Sequence, residues 1–277
     1  MIRLLALDLD GTILDSHGQV PEANRAAIAR AIDAGVEVAL ATGRRYDFAL
    51  PIVARLPGPL TLILSNGAIV KTREGETLMR HLLPREIARD VIRRVPQHRL
   101  DTSVVFDRPR EGQVVFEVLE WDHPRKGAFL VSNRPFVSEV APLVDCLTED
   151  PIQVTFSGGC AEMRVLFDEL GSGEAEFTVA LTEYARRDFS LVDVVKAGCS
   201  KGTALREWAG RRGIPRESVM AMGDNLNDLQ MLEFAGTPVL MGNALAELKA
   251  RGWPVTGSND QAGVAQAIET FILARAS

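Results

Sequence analysis

Apolar and polar positions fall into two regimes along the chain. In the first third, near-continuous apolar runs alternate with segments of helical period. The run "RLLALDL" (residues 3–9) is followed by "PEANRAAIARAIDAG", in which Ala and Ile recur at helical spacing up to Gly35, a good helix terminator. "VEVALAT" is the next apolar run, closed by Gly43, and "LTLILSNGAIV" repeats the pattern after Pro57-Gly58-Pro59. Such runs read as strands buried on both faces, and with helices between them they predict parallel β-α units. The pattern returns near the C-terminus. "CSKGTALREWAGRRG" reads as a helix, "SVMAMGDN" as a short buried strand and "LNDLQMLEFAG" as another helix. "PVLMGNA" and "WPVTGSND" read as two further strands, and "AGVAQAIETFILARA" as a final helix.

The middle differs. After "PREIARDVIRRV" come "TSVVFD", "GQVVFEVLEW", "PIQVTFSGG", "AEMRVLFDEL" and "FTVALTEYA", richer in Val, Phe and Thr and alternating more with polar residues. That alternation predicts an antiparallel α+β module with one wet sheet face. The expected fold class is therefore α/β. A discontinuous parallel-sheet core covers residues 1–83 and 190–277, with an α+β domain inserted over residues 84–189.

Bulk properties narrow the function. At 46% hydrophobic and 25% charged, the 277-residue chain has the balance of an ordinary globular protein. Its net charge of −6 and its lack of a basic cluster with interleaved aromatics argue against nucleic acid as a partner. Cys146, Cys160 and Cys199 are widely spaced without a C-x-x-C, which suits a reducing compartment. The opening apolar run is too short for a signal-peptide core. No stretch of about 18 uninterrupted apolar residues occurs, so no membrane span is expected. The expected setting is cytoplasmic, as a monomer or small homo-oligomer.

The residues that end the apolar runs carry the chemistry, because ligands of open parallel sheets bind beyond the carboxyl ends of the strands. The first run ends in Asp8-Leu9-Asp10-Gly11-Thr12, the second in Thr42-Gly43-Arg44, and the third in Ser65-Asn66-Gly67. The late strand ends in Gly223-Asp224-Asn225-Leu226-Asn227-Asp228. Carboxylates and small hydroxyl or amide groups on one rim describe a magnesium and phosphate site. Mg²⁺ takes oxygen ligands, usually one or two carboxylates with phosphate and water, and Asp8 and Asp224 can supply the carboxylates. Asp8 and Asp10 serve one site only if the strand breaks just after Asp8, a turn that Gly11 permits. A carboxylate beside Mg²⁺ can attack phosphorus to form an aspartyl-phosphate, with Asp10 as acid and then base. Gly11 and Gly43 allow close backbone approach to phosphate, Thr42 adds a hydroxyl, and Lys201 at a helix start adds positive charge. Taken singly, each of these residues has a plain structural use in a turn, a helix cap or a solvated surface. The conjunction, each member after a buried strand, points to the site.

Asp8-Leu9-Asp10-Gly11-Thr12, Ala41-Thr42-Gly43-Arg44, Ser200-Lys201-Gly202 and Gly223–Asp228 resemble the four motifs of the haloacid dehalogenase superfamily. "MGNA" (Met241–Ala244) and "VTGSNDQAGVAQAIE" further resemble its Cof-type subclass IIB. The resemblance implies a Rossmann-like core with the inserted domain as an α/β cap, and Mg²⁺-dependent hydrolysis of small phosphorylated metabolites. It implies Asp8 as nucleophile and Asp10 as acid/base, with Mg²⁺ held by Asp8, the Asp10 backbone carbonyl and Asp224. It implies phosphate binding by the Leu9 N–H, Thr42, Gly43, Lys201 and Asn227, with Asp228 supporting Lys201 or the metal shell.

Rival readings are weaker on the residues. A phosphomutase of the same superfamily needs a second phosphate cluster, for which only Arg108, Arg110, Arg125 and Arg134 are candidates. A phosphoryl-transfer ATPase must preserve an intermediate that Asp10 would hydrolyse. A non-catalytic module binding a phosphorylated metabolite has no need of Asp8 and Asp10. A thiol phosphatase built on Cys199 needs Arg where Leu205 stands, and a nicotinamide dehydrogenase needs a G-x-G-x-x-G after the first strand.

Overall fold

The computed structural model describes residues 1–172, 176–184 and 187–274. The chain divides into two compact units, one formed by Met1–Arg80 with Ser200–Ser277 and the other by His81–Cys199. The first unit opens with β1 (Leu4–Asp8), α1 (Glu22–Asp33), β2 (Glu37–Ala41), α2 (Tyr46–Val53) and β3 (Thr61–Leu64). β4 (Ile69–Thr72) and β5 (Thr77–Arg80) follow. The second unit contains α3 (Arg85–Arg94), β6 (Thr102–Val105), β7 (Val114–Phe116), α4 (Gly127–Ser132) and β8 (Val137–Glu139). It continues with β9 (Gln153–Gly158), α5 (Cys160–Gly171), β10 (Phe177–Tyr184) and β11 (Phe189–Lys196). The chain returns to the first unit with α6 (Lys201–Arg211), β12 (Val219–Gly223), α7 (Leu229–Phe234), β13 (Thr237–Leu240), α8 (Ala246–Lys249) and α9 (Gly263–Ile268).

The first unit is a seven-stranded sheet in the order β13-β12-β1-β2-β3-β4-β5. From β13 to β3 all pairings are parallel, as the buried runs predict. The last two pairings, β3 with β4 and β4 with β5, are antiparallel, a difference from the all-parallel reading. The reversal comes from the turn Ser65-Asn66-Gly67, where "LTLILSNGAIV" folds back into two strands. Val255, in the segment read as a last strand, makes only an isolated bridge to Leu240. Residues 275–276 of the final sequence-read helix lie outside the described residues. β1 is central and all five of its residues are buried. Leu4 and Ala6 join the core cluster that includes Ala204, Leu205 and Ala209 of α6 and Met231 and Leu232 of α7. Since strand side chains alternate between faces, Asp8 is the next residue after Leu4 and Ala6 on that face.

The second unit is a six-stranded sheet in the order β10-β11-β9-β6-β7-β8, antiparallel except for β7 with β8. Two sequence readings change here. Residues 190–196 belong to β11, which pairs with β9 and β10, so this unit extends to Cys199 instead of ending at 189 and begins at His81 instead of 84. Ala161–Leu170, grouped with the strands by its composition, lies in helix α5, whose buried residues are Met163, Leu166 and Leu170. That spacing is helical. Among the described residues no helix is long and apolar enough to cross a membrane.

Candidate active site

Asp8 ends β1, and its partner across β2 is Ala41, so Thr42 and Gly43 begin one residue further along the neighbouring strand. Lys201 opens α6 after a capping box: the Ser200 hydroxyl accepts from the Thr203 N–H at 3.0 Å, and the Ser200 N–H donates to Thr203 Oγ1 at 2.9 Å. A β-carbon on Gly202 would run into the backbone of Gln230 and Met231, so glycine there lets the N-terminus of α6 approach α7 closely. The Lys201 side chain is 1% exposed and its Nζ donates to Asp8 Oδ1 and Asp228 Oδ1, each at 2.7 Å.

The turn after β12 supplies the other carboxylates. Asp228 Oδ2 accepts the backbone N–H groups of Asp224 and Asn225, each at 3.0 Å, so both its oxygens are engaged and it fixes the loop that carries Asp224. Asp224 accepts from the Thr12 hydroxyl at 3.2 Å and from the Asn243 amide at 3.4 Å. Gly11 has φ +83°, and a β-carbon there would collide with the Asp224 carboxylate. β1 stops at Asp8, and the chain turns through Gly11 just beyond it. The Asp10 carboxylate is bound through both oxygens by Arg44, at 2.7 and 2.6 Å. The Arg44 N–H is in turn capped by the Thr42 hydroxyl at 3.1 Å. Leu9 is buried, and its carbonyl accepts from the Leu14 N–H at 2.9 Å. Asn227 donates from Nδ2 to Asn66 Oδ1 at 3.1 Å.

The sequence-read residues thus fall into three linked groups: Asp8, Lys201, Asp224 and Asp228; Asp10 with the Thr42–Arg44 loop; and Asn227 with Asn66. Arg44, Asn66 and Asn243 stand inside motifs already singled out, but their partners lie far along the chain and could not be read from spacing.

The electrostatics follow from burial. Carboxylate oxygens of Asp8, Asp224 and Asp228 lie within 4.8 Å of one another, and the Lys201 ammonium bonds Asp8 and Asp228. Burial pushes the Asp8 carboxyl up to about 8; Lys201 opposes the shift, while Asp228 and Asp10 add to it. Asp224 is likewise raised well above the usual carboxylate range, first by burial and then by Asp8 and Asp228. Burial works against the charge on Lys201, but Asp228 and Asp8 outweigh it and hold its pKa above the ordinary value. Three clustered carboxyls, hard oxygen donors that a cation can hold in their ionised form, fit a divalent ion such as Mg²⁺.

A family model described as haloacid dehalogenase-like hydrolase matches residues 5–268. The chain belongs to that family. The resemblance carried by its motifs is thereby borne out, and this haloacid dehalogenase-like hydrolase is an enzyme of the phosphatase kind. The pyridoxal phosphate phosphatase YbhA of Escherichia coli (strain K12) is 28% identical to it over 282 residues, spanning 98% of this chain and 99% of that protein. A chloroplastic endoribonuclease of Arabidopsis thaliana, YBEY, is also 28% identical over 95% of this chain, which spans only 45% of its length. A solved haloacid dehalogenase-like hydrolase from Bacteroides thetaiotaomicron matches with a TM-score of 0.78 at 26% identity, covering 98% of this chain and 100% of that one.

Proposed function

We propose that this hydrolase removes phosphate from small phosphorylated metabolites, such as sugar phosphates or similar monoesters, through an aspartyl-phosphate on Asp8. The observation that carries this reading is the buried Asp8 carboxylate at the end of β1, held by Lys201 beside Asp224 and Asp228. An unprotonated Asp8 oxygen attacks phosphorus while the bond to the leaving oxygen breaks. Asp10, as the acid, gives that oxygen its proton. Asp10 then takes a proton from water as the water attacks phosphorus, which frees Asp8 and inorganic phosphate. Lys201, the Leu9 N–H, Thr42, Gly43 and Asn227 hold the phosphoryl oxygens, and Asp228 keeps Lys201 in place. Asp8, Asp224 and the Asp10 backbone carbonyl would hold Mg²⁺. Bound there, the ion supplies charge neutralisation for the phosphoryl oxygens. We read the unit His81–Cys199 as the cap domain of the family and the other unit as its catalytic core.

The mutase alternative gains no support from the arginines that would serve it. Three of the four are engaged elsewhere: Arg108 pairs with Glu149, Arg125 with Asp188, and Arg134 lies over the Trp121 ring; Arg110 alone makes no second cluster. A panel of phosphorylated metabolites, scored for inorganic phosphate with and without Mg²⁺, tests the reading. Phosphate release that needs Mg²⁺ and vanishes in Asp8→Asn is expected. Release that survives Asp8→Asn sinks it.

A further inference from the structure

We propose that Asn66 is a positioning residue for the phosphate-holding side chains and acts through Asn227; this rests on the phosphatase reading above. Ser65, Asn66 and Gly67 have φ of 48°, 54° and 98°, three consecutive left-handed conformations of which two are not glycine. Such a backbone persists only where its surroundings enforce it, and it concentrates at functional sites. All three residues are buried.

This turn touches three of the four segments assigned to phosphate, those of Thr42–Gly43, Lys201 and Asn227. The Ser65 N–H donates to the Arg44 carbonyl at 3.0 Å, and the Asn66 N–H donates to the Thr42 carbonyl at 3.0 Å. A β-carbon on Gly67 would run into the carbonyl of Ser200, the residue that caps the helix of Lys201. A β-carbon on Gly43 would sit 3.4 Å from the amide atoms of Asn66. On its other side Asn66 Oδ1 accepts from Asn227 Nδ2 at 3.1 Å. One buried amide therefore stands between Gly43 and Asn227. The left-handed backbone is what aims it there, since an extended residue in its place would continue β3. Holding the Asn227 amide from Asn66 sets its rotamer before phosphate arrives, so less ordering is left to binding.

The test compares Asn66→Ala, Asn66→Gly, Asn227→Ala and the double variant Asn66→Ala/Asn227→Ala. p-Nitrophenyl phosphate serves as substrate and inorganic phosphate as inhibitor, with Mg²⁺ present. Asn66→Gly keeps the left-handed backbone without strain, so it reports the loss of the amide even if Asn66→Ala folds poorly. Both Asn66 variants are expected to lower kcat/KM about 10- to 100-fold and to weaken inhibition by phosphate. The double variant is expected to lose no more than Asn227→Ala, because the two residues act as one. Wild-type kinetics in Asn66→Gly, or losses that multiply in the double variant, overturn the proposal when Asn227→Ala itself is impaired. If Asn227→Ala turns over and binds phosphate as wild type does, the phosphate-site reading fails and the proposal falls with it.

Discussion

Arg44 grips Asp10 by both carboxylate oxygens, at 2.7 and 2.6 Å, while its guanidinium lies 4.5 Å over the centre of the Phe48 ring. The fork matches the carboxylate as no lysine can. The pair is about one-fifth exposed on either side, so solvent screens it less than a surface pair and it contributes to stability. Its worth to catalysis is larger if Asp10 is the acid and base. Arg44→Lys is expected to fold normally and to lose about 10-fold or more in kcat, a fraction of the roughly 10²–10⁴ carried by a general acid–base. Full turnover with an alkyl phosphate in that variant would show that Asp10 works without the grip.

Asp10→Ala separates the two halves of the reaction. A nitrophenolate needs little protonation to leave, whereas an alkoxide needs a proton. The variant is therefore expected to lose alkyl phosphate turnover far more than its attack on p-nitrophenyl phosphate. Hydrolysis of the intermediate also slows, so phosphate stays on Asp8 and is seen by intact-protein mass after a brief exposure. Equal small losses on both substrates, with no added mass, would count against the assignment of Asp10.

If Asp8 holds Mg²⁺ as proposed, its raised carboxyl makes metal binding a proton-linked event. Its folded pKa of about 8 lies above its unfolded value, so its contribution to the metal-free protein is full at low pH and is lost as pH rises through about 8. Mg²⁺ competes with that proton. The gain in melting temperature on adding Mg²⁺ should therefore grow between pH 5 and pH 8, and Asp8→Asn should flatten the dependence. A gain of equal size at both ends of that range would refute the linkage.

Lys201→Ala removes the one ammonium between two buried carboxylates. Leaving such charges unpaired typically costs about 3–5 kcal/mol, readable in urea unfolding at pH 8. Asp8→Asn in the same background should recover part of the loss. A single variant as stable as wild type would mean that the carboxylates find another partner.

Much of this site was legible because each member punctuates an apolar run. Asp8, Thr42 and Asp224 follow buried strands, and Lys201 follows a helix cap, so position along the pattern nearly defines position on the rim. The grip of Arg44 on Asp10 was not legible, since it depends on which way a turn aims a side chain. Ser65-Asn66-Gly67 was legible as the end of a run, but the antiparallel return of Ile69–Thr72 beside β3 was not, since the apolar residues after the turn repeat those before it. The α5 segment was grouped with the strands around it by composition; the burial of Met163, Leu166 and Leu170 brings out the helical period.

The central place of β1 has a consequence for biosynthesis. Leu4, Leu5, Ala6 and Leu7 align with Val219, Met220, Ala221 and Met222, so one edge of β1 awaits a strand that is made much later. Asp8 leaves the ribosome 193 residues before Lys201. Until then a nascent chain carries an open apolar edge, the kind of surface that chaperones shield and that pairs wrongly when crowded. Chains cut short before β12 should accordingly be sticky and inert.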